Sequence, residues 1–298
     1  MATLTSLRQL QYLVALEDSL SFTRAARACH ASQPTLSAGI KELEQLLGVR
    51  LVERDRQSVL MTPIGRELSQ RARAILAAAR DLTEFAAAGG APMSGVLRLG
   101  VIPTIAPFLL PRALAALRKR YPRLQLALRE DLTAALLARL HGGELDFVLF
   151  ALPFDTTNLL VEPLFDDELW IVGRSDEQQL KPARVAMSSA LADRLLLLEE
   201  GHCLRDHSLH ACGATEPRRE SGIEATSLLT LVQMIEADLG VGLVPAMAVK
   251  SGLTKSPRLL ARPLARPCPS RTIALAARRS TSRLADLQAL ADVLRDGI

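Results

Sequence analysis

The chain has 298 residues, carries a formal net charge of +4, and is 49% hydrophobic but only 3% aromatic. Such a length accommodates two domains and a large core, and abundant Leu and Ala beside so few aromatics suit a helix-rich protein. The N-terminus has no apolar core of signal-peptide type and no run nears membrane-spanning length, so a soluble cytoplasmic protein is expected, with no membrane partner and no periplasmic solute-binding role.

The first 62 residues read as three short helices and a hairpin. Residues 4–16 place Leu7, Leu10, Val14 and Leu16 at helical spacing. Ser21 caps a helix over 22–29, and Ser32 caps a third ending at Gly48. Leu36, Ile40, Leu43 and Leu47 line one side of that third helix, and Gln33, Ser37 and Lys41 the other. Two short helices with a tight turn, the second polar outside, make a helix-turn-helix whose recognition helix enters the major groove of double-stranded DNA. Gln33 suits adenine edges, and Thr35 and Ser37 are versatile. Lys41, Arg54 and Arg56 suit phosphates. With Ser32 and Pro34 at the helix start, these form the expected DNA-facing set. Residues 50–61 read as two strands of a wing turning at 55–58.

Thr62 and Pro63 open a long helix. Its stripe Ile64, Leu68, Ala72, Ile75, Ala79, Leu82 and Ala86 is narrow, which predicts pairing with a second subunit. Gly89 to Pro92 break the chain, so a boundary is expected there. Beyond it strands alternate with helices: strands over 96–102, 124–129, 146–152, 164–172, 195–198, 241–244 and 272–277, helices over 107–120, 133–141, 227–238 and 282–295. This alternation predicts a largely parallel sheet covered on both faces.

Two of the four cysteines, Cys203 and Cys212, sit nine residues apart in EGHCLRDHSLHAC at 200–212. His202, Arg205, His207 and His210 surround them and are expected to favour thiolate. On a continuous helix, residues nine apart are separated by about 13–14 Å along the axis, whereas a disulfide needs Cα atoms within about 7 Å. If the segment is helical when reduced, a closed bond requires another local fold, and the pair is a switch rather than a staple. Four cysteines are no disulfide framework, and cytoplasmic disulfides tend to be redox-sensing. Cys29 and Cys268 read as inert core thiols. A zinc site from His202, Cys203, His207, His210 and Cys212 lacks the usual finger spacing, so no metal and no cofactor are expected.

The stretch SQPTLSAGIKELEQLLGVRLVER at 32–54 resembles the recognition helix and wing of LysR-type transcriptional regulators, and the resemblance covers nearly the whole chain. GHCLRD at 201–206, with Cys212 beyond it, resembles the peroxide-sensing members. VIPT at 101–104, LLEEGHC at 197–203, EATSL at 224–228, LVPAMAV at 243–249 and SRTIAL at 270–275 add to this. The resemblance implies an α/β chain in three parts. A winged helix-turn-helix spans 1–62 and a linker helix with hinge 63–90. A two-lobed, periplasmic-binding-protein-like regulatory domain spans 91–298, with lobe I about 93–164 and 271–298, and lobe II about 165–270. It further implies a homodimer or homotetramer on promoter DNA, contact with RNA polymerase, hydrogen peroxide as effector, and a thiol reductant of glutaredoxin or thioredoxin type. Cys203 would be peroxidatic and Cys212 resolving, with Thr104, Thr133, His202, Asp206 and Arg271 shaping the peroxide pocket. Plain helix capping by Thr104 and Thr133, and ordinary ion pairing by Asp206 and Arg271, are the competing readings. Ile223 departs from the family pattern, which has an aromatic there. The alternatives are a LysR-type regulator sensing a small organic ligand between the lobes, and a thiol peroxidase. Residues 1–62 argue against the peroxidase, so no enzyme is expected.

Overall fold

Serine and threonine hydroxyls decide where the N-terminal helices begin. The computed structural model describes residues 4–54, 59–87, 91–213 and 224–297. Arg56 of the expected phosphate-contact set and Ile223 lie outside the described residues. The chain divides into two compact units, Met1–Gly90 with His141–Glu144, and Ala91–Leu140 with Leu145–Ile298.

In the first unit Ser6 opens α1 (Leu7–Ser19) with a reciprocal capping box to Gln9. Ser21 accepts from the Arg24 amide at the start of α2 (Phe22–Ala28), and Ser32 from the Thr35 amide at the start of α3 (Gln33–Leu47). Gly48, at φ +68°, ends α3. The helices pack through Leu13, Leu16, Leu36, Ile40 and Leu43, all essentially inaccessible. Helix α1 crosses α3 so closely that a Cβ on Gly39 would stand 2.7 Å from the Tyr12 ring. Leu47, expected on the buried stripe, is 40% exposed, because it lies in the last turn beyond this crossing. Ser32, Gln33, Pro34, Thr35 and Lys41 are exposed, and Ser37 is half-buried.

Strands β1 (Val52–Arg54) and β2 (Val59–Met61) pair antiparallel as the wing. Glu44 ties α3 to the wing, its Oε1 accepting from the Leu51 amide (2.8 Å) and the Val52 amide (3.2 Å). Thr62 accepts from the Gly65 amide (2.9 Å) and so starts α4 (Pro63–Ala87). The stripe on α4 is not one face. Leu68 and Ala72 pack into the unit's own core, and buried Ser69 donates to Glu17 (2.6 Å). Ile64, Ile75 and Leu82 stay exposed, Leu82 at 71%.

The second unit contains β3 (Gly95–Val101), α5 (Ala106–Arg120), β4 (Leu124–Glu130), α6 (Thr133–His141), β5 (Phe147–Leu152) and β6 (Leu159–Arg174). Then come α7 (Ser189–Ala192), α8 (Cys203–Ala211), α9 (Leu228–Glu236), β7 (Gly242–Pro245), α10 (Ala246–Lys250), β8 (Leu259–Pro263), β9 (Ser270–Arg278) and α11 (Leu284–Asp296). Among the described residues the strand order is β4-β3-β5-β9-β6-β7, with β8 also on β6. Among the strand pairs of the described residues, only β3 with β4 and β3 with β5 are parallel. The expectation of a largely parallel sheet therefore fails. The chain leaves the first lobe along β6 and returns along β9, so each must run against its neighbours. Strand β6, 16 residues long, pairs with β9 in one lobe and with β7 and β8 in the other. Strand β8 was not foreseen, and residues 195–198 form only isolated bridges, Leu195 to Val241 and Leu198 to Ala225. One core lies around Phe147, Phe150, Leu275 and Leu290, and two smaller ones fill the other lobe.

Glu44→Ala removes two charge-assisted hydrogen bonds and is expected to destabilise the wing by about 2 kcal/mol. Hydrogen exchange should then show lower amide protection over residues 49–61. Unchanged protection would deny Glu44 this bracing role.

Candidate functional site: a buried thiol at the start of a helix

The site is built where α8 meets the first lobe. Gly201, at φ +91°, turns the chain against Leu132, where a Cβ would sit 3.0 Å from the leucine methyl. The turn drops Cys203 into the first position of α8 with His202 as the N-cap residue. Cys203 is only 8% exposed and belongs to the core of the first lobe. Leu204, the next residue, packs into the second lobe. At the other end Cys212 is the C-cap residue, half-buried against another cluster of the second lobe. All four cysteines are thiols, none of them in a disulfide. The helix is continuous from Cys203 to Ala211, so the two thiols stand about 13 Å apart along its axis.

Arg271 of β9 is wholly inaccessible. Its Nε and Nη2 donate to Asp167 Oδ2 (3.2 and 3.1 Å), Nη1 to Thr104 Oγ1 (2.7 Å) and Nη2 to the Thr104 carbonyl (3.0 Å). Asp167 Oδ1 accepts from the Met247 amide at the start of α10 (3.0 Å). Each guanidinium nitrogen and each Asp167 oxygen of the buried ion pair thus has a hydrogen-bond partner, which offsets its desolvation. The helix-capping reading fails for both threonines. Thr104 accepts from Arg271, and α5 begins without a side-chain cap. Thr133 lies inside the first turn of α6, and its buried Oγ1 has no hydrogen-bond partner.

Burial dominates the chemistry of Cys203, pushing its thiol above the ordinary value of 9.0. The Arg271 guanidinium opposes this, and the nearby Thr133 hydroxyl helps without reaching hydrogen-bond geometry. The expectation that sequence neighbours depress the thiol is therefore corrected. Arg205 points away, donating to the Leu198 carbonyl (2.8 Å) and pairing with Glu224 (2.5 Å). Burial holds His202 below its usual range, and hence neutral. Asp206 is exposed and, being negative, works against the thiolate. His207 donates Nε2–H to the Leu152 carbonyl (2.8 Å) and is kept neutral, first by burial. The cation that does face the sulfur, Arg271, comes from a distant strand.

Of the expected pocket, Thr133 and Arg271 adjoin Cys203, and Thr104 joins through Arg271. Sequence reasoning missed Asp167, whose only signal was an acidic run in a strand, and the inward role of His207, four residues beyond Cys203. Burial also raises the thiols of Cys29 and Cys268, both half-buried rather than core. Among the described residues no cluster of three or more His, Cys, Asp or Glu is placed to hold a metal ion.

A raised thiol pKa favours the folded state below pH 9, and that contribution is lost as pH climbs through the folded value. Iodoacetamide should accordingly alkylate Cys203 slowly at pH 7 and accelerate only above pH 9, read by mass spectrometry of its peptide. Rapid labelling at pH 7 would contradict the dominance of burial.

Residues 7–66 match the bacterial regulatory helix-turn-helix protein model of the LysR family, and residues 90–298 match the LysR substrate binding domain. The chain is 44% identical to the HTH-type transcriptional regulator EstR of Acinetobacter baylyi, over 99% of this chain and 98% of that one. It is 39% identical to the DNA-binding transcriptional dual regulator OxyR of Escherichia coli, over 97% and 95%. Full-length OxyR from Pseudomonas aeruginosa, carrying a cysteine-to-aspartate substitution, superimposes with a TM-score of 0.79 at 37% identity, covering 98% of both chains. A peroxide-bound cysteine mutant of OxyR from Corynebacterium glutamicum gives 0.67 at 33% identity, over 100% and 94%. A capped helix-turn-helix with its wing, and a two-lobed α/β unit joined by one long strand, match these proteins end to end, and the chain belongs to the LysR family of bacterial transcriptional regulators.

Proposed function

We propose that this protein is a cytoplasmic, peroxide-sensing transcriptional activator switched by a Cys203–Cys212 disulfide. The observation that carries the reading is Cys203, a buried thiol at a helix start beside Arg271 and Thr133, with its partner thiol at the far end of the same helix. Its likeness to OxyR proteins points the same way. Cys203 sulfur attacks one peroxide oxygen, the O–O bond breaks, and the other oxygen leaves as water. The sulfur is thereby oxidised by two electrons to a sulfenic acid. The Cys212 thiol then displaces a second water to form the disulfide. Because α8 holds the thiols apart, closure requires melting residues 204–211, an opening of a few kcal/mol that disulfide formation at a suitable potential outweighs. A thiol reductant of glutaredoxin or thioredoxin type resets the switch. Thr104, Thr133 and Arg271 hold the peroxide, with His202 and Asp206 at the mouth.

In this reading the first unit binds promoter DNA. Gln33 reads base edges, Ser32, Pro34, Thr35 and Ser37 complete the contact face, and Lys41, Arg54 and Arg56 hold phosphates. The protein acts as a homodimer or homotetramer, paired through the part of α4 that carries exposed Ile75 and Leu82, and engages RNA polymerase. A second reading, a regulator of small-ligand type, draws on a cavity of about 380 Å³ bounded by α5, β6 and α10, which no cysteine lines.

The deciding experiment is a non-reducing peptide map with one equivalent of peroxide, coupled to a promoter reporter. Cys203→Ser should never switch, and Cys212→Ser should respond only transiently or over-oxidise. A Cys203–Cys212 linkage that leaves transcription unchanged would sink the sensor and favour the ligand reading. On DNA, Gln33→Ala should narrow the gap between specific and random sites, while Lys41→Ala should weaken both and flatten the salt dependence. Equal losses on every sequence would remove Gln33 from base reading. Ile75→Asp with Leu82→Asp should yield monomers in ultracentrifugation. A persisting dimer would place the interface elsewhere.

A further inference from the structure

Neither Arg271 nor His202 is placed to take the Cys203 thiol's proton. Burial keeps Cys203 protonated, Arg271 has no lone pair to offer, and His202 is turned to Glu199 and the Thr226 backbone. Yet two buried polar atoms around the site lack a hydrogen-bond partner, Thr133 Oγ1 and His207 Nδ1. Buried polar atoms are rarely left unpaired, and those that are call for a reason.

The state of His207 follows from its geometry. The Leu152 carbonyl can only accept, so Nε2 at 2.8 Å carries the hydrogen. In a neutral ring Nδ1 is then a bare lone pair. His207 lies four residues after Cys203 on α8, so the two side chains share a face with their Cβ atoms about 5–6 Å apart. Both turn toward the first lobe, Cys203 into its core and His207 onto the end of β5. The charged and titratable groups facing His207 are Arg271 from β9, and Asp206 and His210 from its own helix. The ring is half-buried, so a proton on it can exchange with solvent.

We propose that His207 is the proton acceptor of the Cys203 site: its bare Nδ1 takes the thiol proton, relayed by the bound peroxide or one water, and returns it to the leaving oxygen. This rests on the peroxide reading given above. The thiolate attacks one peroxide oxygen and the O–O bond breaks. The departing hydroxide takes the proton from the imidazolium and leaves as water. Sulfur is oxidised by two electrons, peroxide is reduced, and the ring ends neutral. Burial, which holds the imidazole below its ordinary 6.5, keeps it in the accepting form at neutral pH. Thr133 Oγ1, the other unpaired atom, is placed to orient the peroxide between them.

The test uses the full chain with Cys212→Ser, so that the sulfenic acid is not consumed as a disulfide and the probe captures it before further oxidation. Its yield is read by trapping with a dimedone-type probe and mass spectrometry, from pH 5 to pH 10. His207→Gln can still donate to the Leu152 carbonyl but does not titrate. It should slow Cys203 oxidation at pH 7 on the order of a hundredfold, as removal of a general base does. The parent rate should fall as pH drops through the imidazole value below 6.5. His207→Gln should lack that limb and close on the parent rate as the pH climbs above 9 through the thiol's own raised value, where the thiolate forms unaided. Equal rates at pH 7, or a deficit that stays constant even at the pH where iodoacetamide labelling shows the thiolate formed, would overturn the assignment, the latter marking a structural role. A parent whose Cys203 reacts no faster than a free cysteine would instead overturn the peroxide reading itself.

Discussion

The regulatory unit turns on one buried ion pair. Arg271 comes from the strand that returns to the first lobe, and Asp167 from the strand that left it. Neither side chain has meaningful solvent contact. Two charges taken out of water cost several kcal/mol each, repaid only if every donor and lone pair is used. Here Thr104 and the Met247 amide in the first turn of α10 add three further hydrogen bonds to the pair. The pair therefore fixes the crossing of β6 and β9, the loop before α5 and the start of α10 together. Breaking it from one side would leave a buried charge unmatched, at a cost of about 3–5 kcal/mol. Its guanidinium is also the cation that faces the Cys203 sulfur. One interaction thus sets both the architecture and the electrostatics of the thiol.

Helix α8 hangs between cores. Its first residue belongs to the first lobe, and its second packs into the second lobe. Its last turn rests on another cluster that also includes Cys268. His207 adds a hydrogen bond to β5, and Arg205 anchors the helix to Glu224 and the Leu198 carbonyl. A nine-residue helix is marginal alone, so these tertiary contacts keep it folded. A covalent change at Cys203 acts where the helix joins the first lobe, and so on the contacts that hold it straight.

Burial and charge pull against each other at the sulfur. A thiol that is protonated at rest is protected from casual oxidation. Reaction then depends on where its proton can go, which gives the unpaired imidazole nitrogen its significance. The N-terminal unit shows a similar economy at Glu44, whose single carboxylate oxygen positions the wing against the recognition helix.

Much of the first unit was legible in the sequence, because its determinants are local. A serine before an apolar repeat, a glycine after it and a proline at the first helical position act within four residues of the backbone they organise. The same locality located α5, α6, α9 and α11, the thiol pair and the nine-residue separation that keeps the thiols apart. What failed depended on distance along the chain. Strand direction could not be read, since β6 and β9 run as they do only because they connect two lobes. The α4 stripe split in two because the N-terminal core claimed Leu68 and Ala72. The thiol's environment was misjudged for the same reason. Consecutive helical residues point about 100° apart, so Arg205, two residues on from Cys203, faces Glu224. The groups that favour the Cys203 thiolate are Thr133 and Arg271, brought there by other elements. The sequence by itself determined which residues cap, turn and pair as neighbours. Only the tertiary structure decided which charges share a low-dielectric interior, because electrostatics there follow separation in space.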